Sequence, residues 1–574
     1  MEEQGQLLAS WKEISSYLGR TVRTCQRLEA GMGLPVHRLD GSPRAHVFAY
    51  AHELDAWLAQ KVGERAQHAR RRRLALYAVT GLAVVAVGIG VLISALGSKK
   101  APGAAAPRPA GVSIAVLPFE DLSVDKSWEP LGDGIAEAIA GALQRIGGIS
   151  VTGRMSAISF KGRKVDAIEI GRKLRVKHVL EATFQVVGDR LRLHADLVSA
   201  ETGFRMWSSE NYDRKLDDIF EIQDEIAASV AEKLRVTLLA GEGPVSRKRP
   251  AIDTEAYLLY LKGRGFLVQT WPESPRRALA CFEQALDREP GFAPAYAGIA
   301  MVHANSVSMF VASPTEAGPK AKAAIDKALA LDPDLAEANA LKAWAQFLFE
   351  WDWDAAGRSF LRALELDPGD ALTRGMYAMF LLSRREFPQA RDEIEIALAA
   401  EPLTPMLYNY FMWISATSGR SEEALERASQ ALRIEPNLEF AYTGAGLAYY
   451  RLGRYAEGVK MCEKGRALPH IPGRPESALV VGYMKTGDRE AARSTYERLL
   501  EYREGKKVLV SAVLLGWAAS ALGDKERAIG WLETAMKERD PHIPLVRVYA
   551  ESFAPELAGD PRFLEICDRL RLPR

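Results

Sequence analysis

The carboxy-terminal half of the chain repeats itself, and that repetition leaves few folds open to it. The pattern Ala-x6-Ala-x4-Pro occurs at Ala278/Ala285/Pro290, Ala321/Ala328/Pro333, Ala356/Ala363/Pro368, Ala390/Ala397/Pro402 and Ala424/Ala431/Pro436. Its prolines advance by 43, 35, 34 and 34 residues. Ala528, Ala535 and Pro541 give a further copy one residue late, while Gly453/Tyr455 and Gly487/Ala492/Tyr496 hold the phase between. A fixed period of this length marks a small unit that cannot bury its apolar face alone and must stack on its neighbours. The alanines allow two antiparallel helices to approach closely, larger residues such as Phe360, Ile394 and Leu532 fill between units, and each proline stops a helix. The nine-residue excess before Pro333 is expected in the loop around residues 308–320.

A period near 34 resembles the tetratricopeptide repeat. About eight helix pairs are expected over residues 253–550, wound into a right-handed solenoid and closed by a cap over 551–574. The resemblance implies a concave groove for a protein or peptide partner. Trp344, Trp351, Trp353 and Tyr449 are candidates to line it, although aromatics at helical spacing also serve as plain packing.

Residues 74–96 read LALYAVTGLAVVAVGIGVLISAL, without a charge. At about 1.5 Å per residue such a helix reaches roughly 35 Å, enough to cross a bilayer core of about 30 Å. A signal peptide would start nearer residue 1, and a buried core helix would normally carry a polar face. Lys61, Arg65 and Arg70–Arg73 precede the run, and Lys99, Lys100 and Arg108 follow it. The bias predicts a single-pass inner-membrane protein with its amino terminus in the cytoplasm and the region after residue 97 outside. A lipid bilayer is then one partner. Ala86, Gly90 and Ser94 form a small-residue ladder that permits a homodimer. A basic segment (63–73) and a Pro/Ala-rich linker (97–111) flank the run.

The first 62 residues carry a different pattern. Ser10-Trp11-Lys12-Glu13 is a capping box opening a helix through Leu18. Thr21 can cap a second helix over 22–30, with Val22, Cys25 and Leu28 facing the first helix and Arg20, Arg23, Thr24 and Arg27 facing away. Residues 34–50 read as two short strands around Gly41-Ser42-Pro43, placing Arg38 and Arg44 on a hairpin, and 51–60 closes the unit as a helix. With SWKEISSYLGRTVRTCQRLE, GLPVHRL and ELDAWL, this segment resembles the excisionase/MerR-type winged helix-turn-helix family; Leu28 stands where that family commonly has Trp. The resemblance implies binding to double-stranded DNA through Arg20, Thr21, Arg23, Thr24, Arg27, Arg38 and Arg44. The alternative is a helix pair that merely packs, with the arginines solvated. Twelve Lys/Arg against eight Asp/Glu over residues 1–73 lend weak support, because Arg70–Arg73 alone supply the excess.

Between membrane run and repeats, residues 112–240 read as an α/β domain: strands at 112–119 and 149–152, helices at 131–146 and 167–174, a hairpin of 178–187 and 190–200 turning at Gly188-Asp189, a strand over 204–212 and a long helix over 216–238. Residues 241–252 form a linker. SIAVLPFEDLSVDKSWEPLGDGIAEAI, FKGR and HVLEATFQVVGDRLRLHADLVSAETGFRMWSSENYDRKLDDIFEIQDEIA resemble the TolB amino-terminal/FlgO-like domain, which implies a binding or assembly module.

No catalytic residue, metal ligand or cofactor is expected anywhere. Gly132-Asp133-Gly134 lacks the rest of a phosphate loop and reads as a turn or cap. Asp121, Asp125, Glu129 and Asp133 lack the spacing of a calcium loop and read as solvated. Cys25, Cys281, Cys462 and Cys567 form no C-x-x-C pair, and the overall charge of +1 excludes a uniformly basic coat. Chains of this hybrid build are sometimes labelled cyclase-associated, yet no cyclase catalytic domain fits in this one.

The expected fold is therefore multidomain and mostly α: a small winged helix-turn-helix, one transmembrane helix, an α/β domain and an all-α tetratricopeptide solenoid. This order of parts resembles membrane-tethered one-component transcription regulators of the ToxR/CadC kind, which sense an envelope signal or partner outside and act on DNA inside. The competing reading is an envelope scaffold that captures proteins on its repeats and does not bind DNA.

Overall fold

A computed structural model describes residues 7–18, 21–32, 34–38, 47–54, 56–57, 112–123, 126–146, 148–163, 165–234, 252–267, 273–470, 472–505 and 509–573. The chain divides into two compact units, Met1–Pro107 and Arg108–Arg574. The expected membrane run at 74–96, with its flanking segments, lies outside the described residues. Among the described residues no helix is long and apolar enough to cross a membrane.

In the first unit the helix Trp11–Tyr17 starts at the Ser10 cap that the sequence predicts, with Glu13 reaching back one residue beyond a standard capping box. The Ser10 hydroxyl accepts the Glu13 N–H (3.3 Å) and the Glu13 carboxylate accepts the Ala9 N–H (2.8 Å). A second helix spans Val22–Met32. Strands β1 (Leu7–Leu8), β2 (His37–Arg38) and β3 (Val47–Tyr50) form a three-stranded antiparallel sheet in the order β1-β3-β2. Ile14, Leu18, Cys25, Leu34, Ala49 and Leu54 make its core.

The second unit opens with a seven-stranded sheet. Its strands are β4 (Val112–Val116), β5 (Glu120–Asp121), β6 (Ile149–Val151), β7 (His178–Val187), β8 (Arg190–Ser199), β9 (Arg205–Ser208) and β10 (Tyr212–Lys215). The path runs β10-β8-β7-β4-β6, with β5 on β7 and β9 on β8. β4 lies parallel to β6 and β7, and the β7–β8 hairpin is antiparallel. Alternation along β4 divides its side chains between layers: Ile114 and Val116 meet the helices Glu129–Gln144 and Ile219–Lys233, while Ala115 meets the helix Ala167–Leu174. The single strand expected over 204–212 is two strands, β9 and β10, and the long helix expected from 216 begins as a 3-10 turn, Leu216–Asp218. Gly132, Asp133 and Gly134, expected in a turn, lie inside the Glu129–Gln144 helix and are buried. Asp121 and Asp133, expected to be solvated, are also buried: Asp121 accepts the Ser123 and Trp128 N–H groups, and Asp133 pairs with Lys161 at 2.6 Å.

Eight antiparallel helix pairs follow among the described residues: Thr254–Phe266 with Ser274–Arg288, Ala293–Ser308 with Pro314–Leu331, Ala336–Ala345 with Trp353–Leu366, Ala371–Ser383 with Phe387–Ala400, Pro405–Thr417 with Ser421–Ile434, Glu439–Arg451 with Tyr455–Arg466, Arg474–Thr486 with Arg489–Glu504, and Ala512–Ala521 with Lys525–Glu538. We number these repeats 1 to 8 and call their helices A and B. In repeats 1 to 5 the alanines of the pattern are fully or almost fully buried, and each B helix stops two residues before its proline. Phe360, Ile394 and Leu532 are completely buried, each contributing roughly 1.5–3 kcal/mol of apolar transfer. The excess length in repeat 2 is not a loop. Its helices have 16 and 18 residues against 13 and 14 in repeat 4, and the connecting turn is short.

Sheet domain and repeats interlock. Helix Glu129–Gln144 packs on helix A of repeat 1 so closely that a Cβ on Gly265 would come within 2.0 Å of the Pro130 carbonyl oxygen, and one on Gly134 within 2.5 Å of the Leu261 oxygen. Phe220 stacks on Tyr257 at 4.1 Å. Along the rim, Glu137 binds both Arg154 and Arg264, and Arg264 also binds Glu337 of repeat 3. Gln144 donates to Asp367 at 3.0 Å. Glu401, before repeat 5, accepts the backbone N–H groups of Met155 (3.1 Å) and Ser156 (2.7 Å).

Candidate functional site: a repeat groove filled by the chain's own tail

The repeat array carries the surface that the sequence points to, and most of its middle is occupied. The paired helices end at Glu538. The chain then makes a 3-10 turn, Ile543–Leu545, and the helix Val546–Phe553, both expected as part of the array. This tail helix touches the A helices of repeats 4, 5 and 6, so it lies across them rather than extending the stack. Val546, Val548, Tyr549 and Ala550 are buried there. Tyr549 sits between Trp413 (ring centroids 4.6 Å) and Trp517 (4.9 Å), with Phe553 beside both. Burial pushes the Tyr549 phenol far above its ordinary pKa.

None of the four aromatics expected in the groove stands open there. Trp353 is buried and donates its indole N–H to the Leu570 carbonyl at 2.7 Å. Trp351 donates to the Leu348 carbonyl and carries the Arg539 guanidinium over its ring at 4.2 Å. Trp344 packs on Phe347, and Tyr449 lies under Arg454.

A backbone detail shows how the tail is held. The turn between helices A and B contains a left-handed residue in every repeat from 2 to 8. In repeats 5 to 8 it is Gly419 (φ +81°), Gly453 (+73°), Gly487 (+89°) and Gly523 (+86°). In repeats 2 to 4 it is Phe310 (+56°), Trp351 (+59°) and Arg385 (+63°). A bulky residue there costs roughly 1–2 kcal/mol over glycine. All three reach the returning tail: Phe310 stacks on His542 (5.1 Å), Trp351 meets Arg539, and Arg385 pairs with Glu551 (2.9 Å). Arg451 adds a hydrogen bond to the Ser552 carbonyl (2.9 Å). The strained turns thus form a latch. It is missed by motif reading, yet Trp351, Arg385, Gly419, Gly453 and Gly487 follow at 34-residue steps, so two large residues at a glycine position were its visible signal.

In the amino-terminal unit, Thr21, Arg23 and Arg27 are exposed and Thr24 is half-buried, with the Thr21 and Thr24 hydroxyls 2.9 Å apart. Arg38 is clamped by a two-pronged pair with Glu29 (Nη2 to Oε2 3.0 Å), which ties β2 to the second helix. Arg20 and Arg44 lie outside the described residues. Among the described residues no group of His, Cys, Asp and Glu is placed to hold a metal.

A tetratricopeptide-repeat family model matches residues 478–542, most of repeats 7 and 8. The chain carries tetratricopeptide repeats. A putative adenylate cyclase 3 of Rhizobium meliloti (strain 1021) is 36% identical over 194 residues, covering 34% of this chain and 33% of that protein. A peroxisomal targeting signal receptor of Candida albicans is 28% identical over 119 residues, 20% of each. The chain therefore spans a third or less of the curated relatives it matches. Among solved structures it is similar to Pseudomonas aeruginosa PilF (18% identity, 37% of this chain and 95% of that one, TM-score 0.29) and to human IFIT1 (16%, 55% and 77%, TM-score 0.38).

Proposed function

We propose that this protein is an interaction scaffold that holds a protein or peptide partner on its tetratricopeptide array. One observation carries the reading: the A helices of repeats 4 to 6 already hold a helix, Val546–Phe553, through aromatic and aliphatic anchors. A surface that seats an apolar helix in this way is built for helix-in-groove recognition. The sheet domain braces the rim, so the surface is presented by a rigid body. The cyclase name stays with the relative that bears it, which is matched over a third of its length. Photo-crosslinking in the native host tests the reading. A crosslinker at the exposed Val311 or Met406 is expected to trap a defined partner, with none trapped from the exposed Leu564 in the cap. Equal labelling at all three positions would sink it.

A second reading rests on the first unit, where a capped helix pair beside a three-stranded sheet leaves Arg23 and Arg27 exposed. In it this unit binds double-stranded DNA, the 74–96 run anchors the chain in the inner membrane, and the array senses an envelope partner. Arg23→Ala and Arg27→Ala should each weaken DNA binding and flatten its salt dependence. Unchanged affinity removes these residues as readers, and reporter fusions at residue 65 and beyond residue 110 test the topology.

A further inference from the structure

A cavity of about 400 Å³ opens where the A–B turns of repeats 4 and 5 meet the tail helix. Its lining brings Arg385, Arg391, Arg420 and Arg451 together against a single lining carboxylate, Glu551. Glu551 is already shared between Arg385 (2.9 Å) and Arg547 (3.2 Å). Arg391 is balanced by Glu395 and Glu423, yet its Nε is buried without a hydrogen-bond partner. Arg420 and Arg451 have no carboxylate within ion-pair reach among the described residues. Phe387 supplies an apolar wall.

Cations gathered from three stretches of chain repel one another, and although the tail contacts account for Arg385 and Arg451, no such contact accounts for Arg420. The volume falls at the small end of ligand sites. Guanidinium forks match phosphate oxygens two at a time, and a phosphate group carries about −1.5 to −2 charge at neutral pH, enough to offset the surplus. We propose that this cavity is a binding site for a phosphorylated small molecule, its phosphate between Arg420 and Arg451 and its organic part against Phe387. The site stands apart from the scaffold reading, because it needs no protein partner. It also touches the latch: a phosphate between Arg420 and Arg451 competes with the Ser552 carbonyl for the Arg451 guanidinium, so occupancy loosens the tail helix.

Calorimetric titration of inorganic pyrophosphate into the full-length chain in a neutral detergent, at constant ionic strength, tests this. One saturable site per chain is expected. Arg420→Gln, which removes an exposed side chain outside the latch, should weaken binding about tenfold or more, as loss of a charge-assisted hydrogen bond does. Arg420→Lys should recover part of it. Tryptophan emission from Trp413 and Trp517 should shift on saturation. Absence of saturable binding, equal binding by folded Arg420→Gln, or binding of citrate but not pyrophosphate would each overturn the proposal.

Discussion

At Glu137, burial pushes the carboxyl up, but the guanidiniums of Arg154 and Arg264 outweigh it and hold the group at about 2. The folded value lies below the ordinary 4.5, so this stabilisation is complete above about pH 4.5 and disappears as pH falls toward 2. Glu137→Ala leaves two partly buried guanidiniums, Arg154 and Arg264, without that partner and should cost about 3–5 kcal/mol in urea unfolding at neutral pH. Glu137→Gln should lose less stability than the wild type between pH 4.5 and 2, measured by the same titration in acid. His470 shows the opposite sign. Its hydrogen bond to Glu476 (2.8 Å) raises its pKa above 6.5, so its contribution is full below pH 6.5 and fades as pH rises through the raised value. His470→Gln should flatten that alkaline decline.

Among the elements, legibility followed periodicity. The alanine–proline pattern located the B helices of repeats 1 to 5 because its alanines are buried in the stack and each helix stops two residues before the proline. Helix 167–174 was legible in full, since its apolar residues fall on one face beneath an Asp166 cap that accepts the Glu169 N–H. Gly132 and Gly134 misled, because the tight approach of helix Glu129–Gln144 to Phe184 and to Leu261 is a tertiary event with no local signature. The tail helix was equally hidden: residues 543–553 carry no repeat pattern, and their place is set by Trp413 and Trp517, more than a hundred and about thirty residues away in sequence. Tyr549→Ala should remove the packing between those two rings, costing about 3 kcal/mol or more in chemical denaturation and moving tryptophan emission to the red.

On the scale of the molecule, the sheet domain and the array share contacts from repeat 1 to repeat 5 and should unfold together. Gly265→Val would drive a side chain into the Pro130 carbonyl, and overpacking of this kind costs about 1–3 kcal/mol or more. Differential scanning calorimetry should then show the single transition of residues 108–574 splitting into two. The latch has a mechanical consequence. A stack of helix pairs joined only to its neighbours can lengthen and shorten like a spring, but here the far end is pinned by Phe310, Trp351 and Arg385 to its early coils. Such a body keeps one pitch, as a buckled spring does, until something unfastens the clasp.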